Sequence, residues 1–253
     1  MMVDEIKKFE TECREEVKII GKDEKLQKLT SAWLARANDL KYSYHFKALG
    51  RPIIQYPQDM IALHEIIWTT KPTLIIETGI AHGGSLVWSA ANLALLDLTE
   101  NRAGAFPRRV VGIDIDIREH NRIEIQNHPI SSRIKMIEGS SVEPEILAKV
   151  KAEIRGTDKV MVVLDSNHTH DHVLNELRNY SNYVSPDCYL IVMDTVVERL
   201  KHAQWPGRDW GVGNNPMTAV REFLKDNEEF EIDKDIESKI AISVAYSGYL
   251  RRK

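Results

Sequence analysis

Apolar side chains recur at intervals of three and four residues over the first forty positions of the chain, which is the spacing of an amphipathic helix. The pattern predicts two helices, with Gly21 as the stop between them. We interpret both apolar stripes as core or subunit-contact faces rather than as ligand sites. They consist of Ile6, Phe9, Cys13, Val17 and Ile20 in the first helix and of Leu26, Leu29, Trp33, Ala37 and Leu40 in the second.

An irregular connector is predicted at 42–57, because a glycine and two prolines interrupt any regular pattern there. Helical spacing resumes at Met60 and ends at the Lys71-Pro72 pair, since a residue that precedes proline is disfavoured in a helix. The chain therefore begins with a helical extension, and a new pattern starts after this third helix.

From residue 73 onward, strand-like and helix-like segments alternate. Continuous apolar runs such as Val160-Met161-Val162-Val163-Leu164 indicate strands that are buried on both faces of a parallel sheet. Strands and helices that alternate through right-handed crossovers form a doubly wound α/β sheet. The predicted strands lie at 73–77, 109–114, 133–138, 159–165 and 188–194, with helices at 85–96, 118–128, 143–154 and 172–183 between them.

The C-terminal segment has a different pattern. A helix is predicted at 217–225, followed by two short strands at 230–232 and 240–245. Because the connection between these strands is short, we expect them to be antiparallel neighbours. A parallel sheet that ends in an antiparallel element is the architecture of the Rossmann-like methyltransferases.

Composition narrows the class of protein. The 253 residues are 43% hydrophobic and 28% charged, with a net charge of −4 and two cysteines that lie far apart. These values are typical of a globular protein, and they offer neither a disulfide framework nor a basic surface for nucleic acid. The apolar runs are too short to span a bilayer, and the charged N-terminus does not look like a signal peptide. We expect a cytoplasmic α/β enzyme without nucleic-acid partners or membrane insertion.

Candidate chemistry lies where the first three strands end, because ligands of open parallel sheets bind beyond the carboxyl ends of the strands. A glycine-rich turn follows the first strand from Glu77 to Ser85, and it allows a close approach of backbone to a nucleotide-type ligand. Asp114 ends the second strand, where it would accept from ribose hydroxyls or lie in a solvated acidic turn. Ser140 and Ser141 follow the third strand, where they would bound an adenine or cap the next helix.

Two carboxylates end the fourth and fifth strands. Asp165 and Asp194 would lie close together at one edge of the sheet, and two such carboxylates repel each other unless a proton or cation intervenes. Oxygen ligands at a partly hydrated site suit Mg²⁺. The alternative is a helix cap for Asp194 and a loop salt bridge for Asp165, but the pair favours a metal site.

A histidine cluster leaves a second possibility open. His168, His170 and His172 alternate closely after Asp165, and two of them with that carboxylate would resemble the facial triad of a non-haem iron oxygenase. Such oxygenases commonly have β-rich folds, so the alternating sheet argues against this reading. One histidine lining the site, with the others solvated, is the simpler alternative.

Several motifs in the right order resemble the cephalosporin hydroxylase family of S-adenosylmethionine-dependent methyltransferases, which is similar to the catechol-type Mg²⁺-dependent O-methyltransferases. The resemblance covers approximately residues 40–253, and a series of motifs is more specific than any single one. The motifs are Pro52-Ile53-Ile54-Gln55-Tyr56-Pro57-x-Asp59, Lys71-Pro72, Glu77-x-Gly79 with Gly83-Gly84-Ser85, Asp165-Ser166-x-His168-x-x-x-His172-Val173, Asp194-Thr195, Pro206-Gly207-Arg208-x-Trp210, Asn215-Pro216-Met217-Thr218-Ala219-Val220 and Gly248-Tyr249-Leu250-Arg251-Arg252.

The resemblance implies a class I methyltransferase with a mostly parallel, seven-stranded sheet and an antiparallel last strand. It implies an N-terminal helical extension and connector at 1–56 and an S-adenosylmethionine-binding domain at 57–253. It also implies site residues. Glu77, Gly79, Gly83 and Ser85 would hold the amino-acid and ribose parts of the cofactor, Asp114 the ribose hydroxyls and Ser140 or Ser141 the adenine, while Asp165 would line the cofactor site and bind a divalent metal with Asp194.

One departure from the family pattern concerns the metal. Many members have Glu-Asp where this chain has Met193-Asp194, so one carboxylate ligand is missing. The catechol-type enzymes have a basic lysine three residues after the first metal ligand, where this chain has His168. We therefore expect His168 to be the general base beside Asp165.

The acceptor is expected to be a hydroxyl of a sugar, a glycan precursor or a natural product, as for other members of the family. Trp205, Arg208 and Trp210 follow the fifth strand and would form an acceptor-binding lid, although simple loop packing is the alternative. An iron hydroxylase using Asp165, His168 and His172, and a non-catalytic subunit that retains the fold, are the rival functions. The helical extension favours a homo-oligomer.

Overall fold

Seven strands form the central sheet in the order β5-β4-β3-β6-β7-β9-β8 in the computed structural model, which describes residues 2–100, 107–200 and 205–253. All neighbouring pairs up to β7 are parallel, whereas β9 runs antiparallel to both β7 and β8. The strands are β3 (Leu74–Thr78), β4 (Arg109–Asp114), β5 (Ile134–Glu138), β6 (Val160–Leu164), β7 (Tyr189–Val192), β8 (Phe230–Ile232) and β9 (Tyr249–Arg252). The expected mostly parallel, seven-stranded Rossmann-like sheet with an antiparallel last strand is confirmed.

Helices cover both faces of this sheet. They are α1 (Met2–Lys22), α2 (Glu24–Asp39), α3 (Pro57–Thr70), α4 (Gly84–Thr99), α5 (Glu119–Gln126), α6 (Pro144–Glu153), α7 (His170–Tyr180), α8 (Pro216–Phe223) and α9 (Lys234–Ile240). Side chains alternate between the two faces along each strand, so Ile75 packs with α3 and α4 while Ile76 packs with α6, α7 and α8. Every residue of β3, β6 and β7 is buried, which explains the unbroken apolar sequence of β6 and β7 and of the first three residues of β3.

The predicted strand at 240–245 is wrong. Asp233 caps α9, accepting from the backbone N–H groups of Asp235 and Ile236, and the helix continues to Ile240. The residues that follow are irregular, and the last strand begins at Tyr249. Residues 241–245 form no strand, but Val244 and Ala245 are buried in the core, so their apolar sequence resembles that of a buried strand.

The connector contains an antiparallel hairpin that the sequence pattern did not predict, formed by β1 (Phe46–Ala48) and β2 (Arg51–Ile53). Leu49 and Gly50 both have positive φ, as a two-residue hairpin turn requires. Only one of these positions is a glycine, so the usual turn signal is weak. The hairpin packs against α4 and so lies beside the glycine-rich turn.

The two expected N-terminal helices are present. Helix α1 packs against α9, and α2 buries Thr30, Leu34 and Ala37. Other apolar side chains of the extension are exposed, among them Phe9 at 66%. The division at 56/57 remains a prediction. None of the helices formed by the described residues has the length and apolar character needed to cross a membrane.

Candidate active site

The glycine-rich turn lies directly against the end of β6. Gly79 has φ +88°, and a Cβ atom at this position would lie 2.0 Å from the carbonyl oxygen of Asp165. Gly84 begins α4, and a Cβ there would lie 2.3 Å from the carbonyl oxygen of Pro52. The turn therefore has backbone on both sides, and only glycine permits this approach. The result is a narrow cradle at the carboxyl edge of the sheet.

Asp114 holds this turn in place. One carboxylate oxygen accepts hydrogen bonds from the backbone N–H groups of Ile80 at 2.8 Å and Ala81 at 3.2 Å, and the other accepts from Asp116 at 3.2 Å. A carboxylate has further lone pairs, so these contacts leave it able to accept from a ligand. The predicted ribose contact is compatible with this position and remains a prediction.

Glu77 is the most buried acid beside the turn. Its side chain is 2% exposed, and burial raises the pKa of its carboxyl group to about 7. Ser85 donates to Oε1, whereas Oε2 is buried and has no hydrogen-bond partner among the residues that the structure describes. A buried oxygen without a donor is costly, so a ligand with an N–H or O–H group would be stabilised here.

The two serines after β5 have different surroundings. Ser140 is partly exposed, whereas Ser141 is buried. The Ser141 hydroxyl donates to Glu176 at 2.6 Å and lies 3.1 Å from Nε2 of His172. Because its hydroxyl is already engaged, Ser141 is less available to an adenine than Ser140.

Asp165, His168 and Asp194 form one cluster. Their ligand atoms lie within 4.8 Å of one another, and Nε2 of His168 is 2.9 Å from a carboxylate oxygen of Asp194. Burial, and then the charge of Asp194, raises the pKa of the Asp165 carboxyl well above its ordinary value. Two carboxylates and an imidazole at this separation are a donor set for a divalent cation, which would also relieve the repulsion between the acids.

Three other residues considered for this centre, Met193, His170 and His172, have their contacts outside the cluster. Met193 is 4% exposed and packs in the core, so it contributes no donor. His170 contacts Thr218 and Glu222, and His172 contacts Ser141, Ser166 and Glu176. The sequence-based alternative of an iron triad from Asp165, His168 and His172 is therefore not supported: within the described parts of the chain, Asp194 completes the group and His172 does not.

The loop that contains Trp205, Arg208 and Trp210 contacts the metal-type cluster through Trp210 and His168. The rings of Trp210 and His168 meet edge to face, with centroids 5.2 Å apart, and Trp205 lies 5.2 Å from Trp210. Arg208 is exposed, with its guanidinium 5.8 Å from the Trp210 ring. The three predicted acceptor residues thus form one group beside the candidate base.

Sequence reasoning missed three residues of the connector. Arg51 donates to the carbonyl oxygen of His82 at 2.8 and 3.0 Å, and Gln55 donates to Asp165 at 3.1 Å. Tyr56 is buried, and its burial together with the nearby charge of Asp194 raises the pKa of its hydroxyl to about 12. The only available signal was the Gln55-Tyr56 pair within the upstream motif, which carried no indication of its partners.

A comparison with known families decides which proteins this arrangement belongs with. The family model described as Rhamnosyl O-methyltransferase/CmcI matches residues 40–253, most of the chain. The chain belongs to this family. Membership in the Rhamnosyl O-methyltransferase/CmcI family confirms the expected enzyme class, an S-adenosylmethionine-dependent O-methyltransferase, and the match begins before the connector.

Curated relatives agree with the family assignment. The rhamnosyl O-methyltransferases of Mycobacterium bovis and Mycobacterium tuberculosis are each 28% identical to this chain over 201 residues, which cover 77% of it and 73% of the relative. That of Mycobacterium leprae is 26% identical over 209 residues, with coverage of 81% and 82%.

Two solved structures share the fold of this chain. A structure of CmcI with Mg and SAM is similar with a TM-score of 0.55 and 19% identity, covering 83% of this chain and 77% of the other. An O-methyltransferase from Bacillus cereus in complex with SAH has a TM-score of 0.50 at 15% identity, with coverage of 83% and 82%. At these identities the likeness concerns the fold.

Proposed function

We propose that this enzyme methylates a hydroxyl group of a sugar, and that rhamnose within a glycan or glycosylated natural product is the acceptor class. The single observation that carries the proposal is the cluster of Asp165, His168 and Asp194, which lies directly beside the glycine cradle. The names of the mycobacterial relatives support the choice of rhamnose. S-adenosylmethionine, when bound, supplies an activated methyl group on its sulfonium.

The cradle residues are proposed to hold the methyl donor. Gly79, Gly83 and Ser85 would bound its amino-acid end, with Glu77 as a buried hydrogen-bond acceptor and Asp165 at the edge. Asp114 would take the ribose hydroxyls, and Ser140 and Ser141 would lie by the adenine. The partnerless oxygen of Glu77 and the tight glycines fit a donor-rich, closely held ligand.

A divalent cation, with Mg²⁺ the first candidate, is proposed between Asp165 and Asp194. When bound, it would lower the pKa of the acceptor hydroxyl and fix its direction. The donor set fits, since both acids lie within 4.8 Å of each other and of His168. Water would take the position that Met193 leaves without a carboxylate, so the imidazole of His168 stays available as a base.

His168 is proposed as the general base. Its Nε2 lies 2.9 Å from Asp194, and a hydrogen bond donated by this nitrogen leaves Nδ1 free to accept the proton of the acceptor hydroxyl. Asp194 orients the ring and stabilises the imidazolium that forms. Trp210, in contact with the ring of His168, and the neighbouring Trp205 and Arg208 would form the sugar-facing wall of the site.

The direct test is methyl transfer by the full chain to a panel of matched sugars, with isotopically labelled S-adenosylmethionine and mass spectrometry. We expect an alkyl rhamnoside to gain one methyl group faster than the corresponding glucoside or mannoside. Chelation by EDTA should stop the reaction, and Mg²⁺ should restore it. Cofactor binding without transfer to any acceptor of a broad panel, in the presence of divalent cations, would instead favour the non-catalytic alternative.

Location and assembly stay predictions. We propose that the protein is cytoplasmic. We also propose that it is a homo-oligomer, because exposed apolar residues such as Ile6 and Phe9 of α1 offer a surface for subunit contact.

A further inference from the structure

The connector forms one wall of a cavity beside the glycine cradle. The cavity beside the glycine cradle is lined by Pro52, Gln55, Gly79, Ser85 and Asp165, among other residues. Arg51 binds the carbonyl oxygen of His82, and the Pro52 carbonyl lies against Gly84. These contacts hold Arg51 and Pro52 against the glycine turn, and Gln55 follows them along the cavity wall.

The amide group of Gln55 has one partner and one free end. Its Nε2 donates to Oδ2 of Asp165 at 3.1 Å, and a carboxylate at this position selects the NH₂ end of the amide. Gln55 is 6% exposed, and within the described parts of the chain its buried Oε1 has no hydrogen-bond partner. The same holds for Oε2 of Glu77, whose Oε1 accepts from Ser85 on the cavity wall.

The orphaned Oε1 of Gln55, a residue of the cavity wall, favours a ligand group with N–H donors. The buried carboxyl group of Glu77, which accepts from Ser85 of the same wall, favours a ligand group with a positive charge. Asp165 adds a carboxylate to the same wall, and the described residues that line the cavity include no Lys or Arg. A carboxylate would find no permanently charged cation among them, since the one basic side chain in this lining is the imidazole of His82. An ammonium group, in contrast, can donate to several acceptors at once and offsets the buried negative charge.

We propose that Gln55 is a cofactor-binding and positioning residue, whose Oε1 accepts from the α-ammonium of S-adenosylmethionine while its Nε2 holds Asp165. This inference rests on the proposed function, because it assigns a residue to the methyl donor of that reaction. The amide of Gln55 would then contact S-adenosylmethionine through Oε1 and the carboxylate of Asp165 through Nε2. The connector thereby links the positions of the two reactants.

The test measures binding rather than turnover. S-adenosylhomocysteine and its deamino analogue, in which hydrogen replaces the α-amino group, are titrated by calorimetry into the wild-type protein and into Gln55→Met. Met has a similar length but neither donor nor acceptor. We expect Gln55→Met to bind S-adenosylhomocysteine about tenfold or more weakly, the typical effect of a lost charge-assisted hydrogen bond, and to bind the deamino analogue within about twofold of wild type.

Two further variants separate an ammonium contact from a structural role. Gln126→Met, on the exposed end of α5, is the matched control and should bind both ligands as wild type does. Gln55→Glu keeps an acceptor oxygen and should retain the preference for the amino compound even if Gln55→Met does not fold. An equal loss of affinity for both ligands in Gln55→Met, or no preference in Gln55→Glu, would overturn the inference. Failure of the wild-type protein to bind S-adenosylhomocysteine at all would instead overturn the proposed function.

Discussion

Asp194 has a backbone conformation that is unusual for its residue type. Its φ is +55°, in the left-handed region, directly after the buried strand β7. Such a conformation costs free energy in a residue other than glycine, although aspartate tolerates it better than most. The conformation lets the side chain turn toward Nε2 of His168 at 2.9 Å. A strained residue at a strand end is typical of functional sites, and here it orients the candidate base.

At the scale of this residue pair, replacement of His168 tests proton transfer. We expect His168→Gln to lower kcat by a factor of about 10² to 10⁴, because the acceptor hydroxyl would lose its base, with little change in KM for S-adenosylmethionine. Steady-state kinetics with saturating acceptor measure both parameters.

His120→Gln, on the exposed surface of α5, is the matched control and should leave both parameters unchanged. If Asp165→Ala abolished turnover while His168→Gln kept near-normal turnover, the assignment of the base would be wrong.

At the scale of elements, the glycine turn and the connector act as one unit. The turn is held by Asp114 from one strand and lies against Asp165 from another, while the β1–β2 hairpin packs on its outer side. Each contact joins backbone of one segment to an atom of the next, so a small shift in one segment displaces the others.

Gly79→Ala tests this packing. The substitution places a Cβ 2.0 Å from the carbonyl oxygen of Asp165 and imposes φ +88° on an alanine, so backbone must move. We expect the free energy of unfolding to fall by about 2–4 kcal/mol, as measured by chemical denaturation. S-adenosylhomocysteine binding should weaken in parallel.

Gly156→Ala is the control for this substitution, because a Cβ at position 156 meets no atom within 4 Å. Its unfolding free energy should stay within about 0.5 kcal/mol of wild type. Equal stability of the two alanine variants would contradict the tight approach at Gly79.

At the scale of the whole molecule, burial of acids at the active site opposes folding near neutral pH. The pKa of Glu77 is raised from 4.5 to about 7, so the folded protein holds a proton on this group that the unfolded chain releases above about pH 4.5. The folded state therefore binds more protons between these two pKa values, and its stability falls as pH rises through this window. The change from this group is at most about 3 kcal/mol.

Glu77→Gln removes this titration. We expect the ligand-free variant to lose less stability than wild type between pH 5 and pH 8, since an amide of the same shape carries no charge at either pH. Denaturation curves at the two pH values measure the difference, and calorimetry should show weaker binding of S-adenosylhomocysteine. If the stabilities of the wild type and the variant changed by the same amount between pH 5 and pH 8, this would contradict the raised pKa of Glu77.

The sequence by itself determined the repeating architecture and the neighbourhood of the site. Continuous apolar runs specify strands buried on both faces, and the residues just after parallel strands must meet at one edge of the sheet. For this reason the proximity of Glu77, Asp114, Asp165 and Asp194 was predictable from local patterns. The same patterns misplaced the last strand, because the apolar residues at 241–245 include buried side chains of an irregular segment, and burial gives such a segment the apolar pattern of a strand.

Only the tertiary structure decided the partners within that neighbourhood. His168 precedes the first residue of α7 and reaches Asp194, whereas His170 and His172 project from the helix to other clusters. Gln55 meets Asp165 across 110 residues of sequence, through a hairpin whose turn has only one glycine. Local periodicity reports which face of an element is buried, but a hydrogen bond between distant segments depends on the angle and register at which they pack. That geometry arises only when the hydrophobic core brings the segments together.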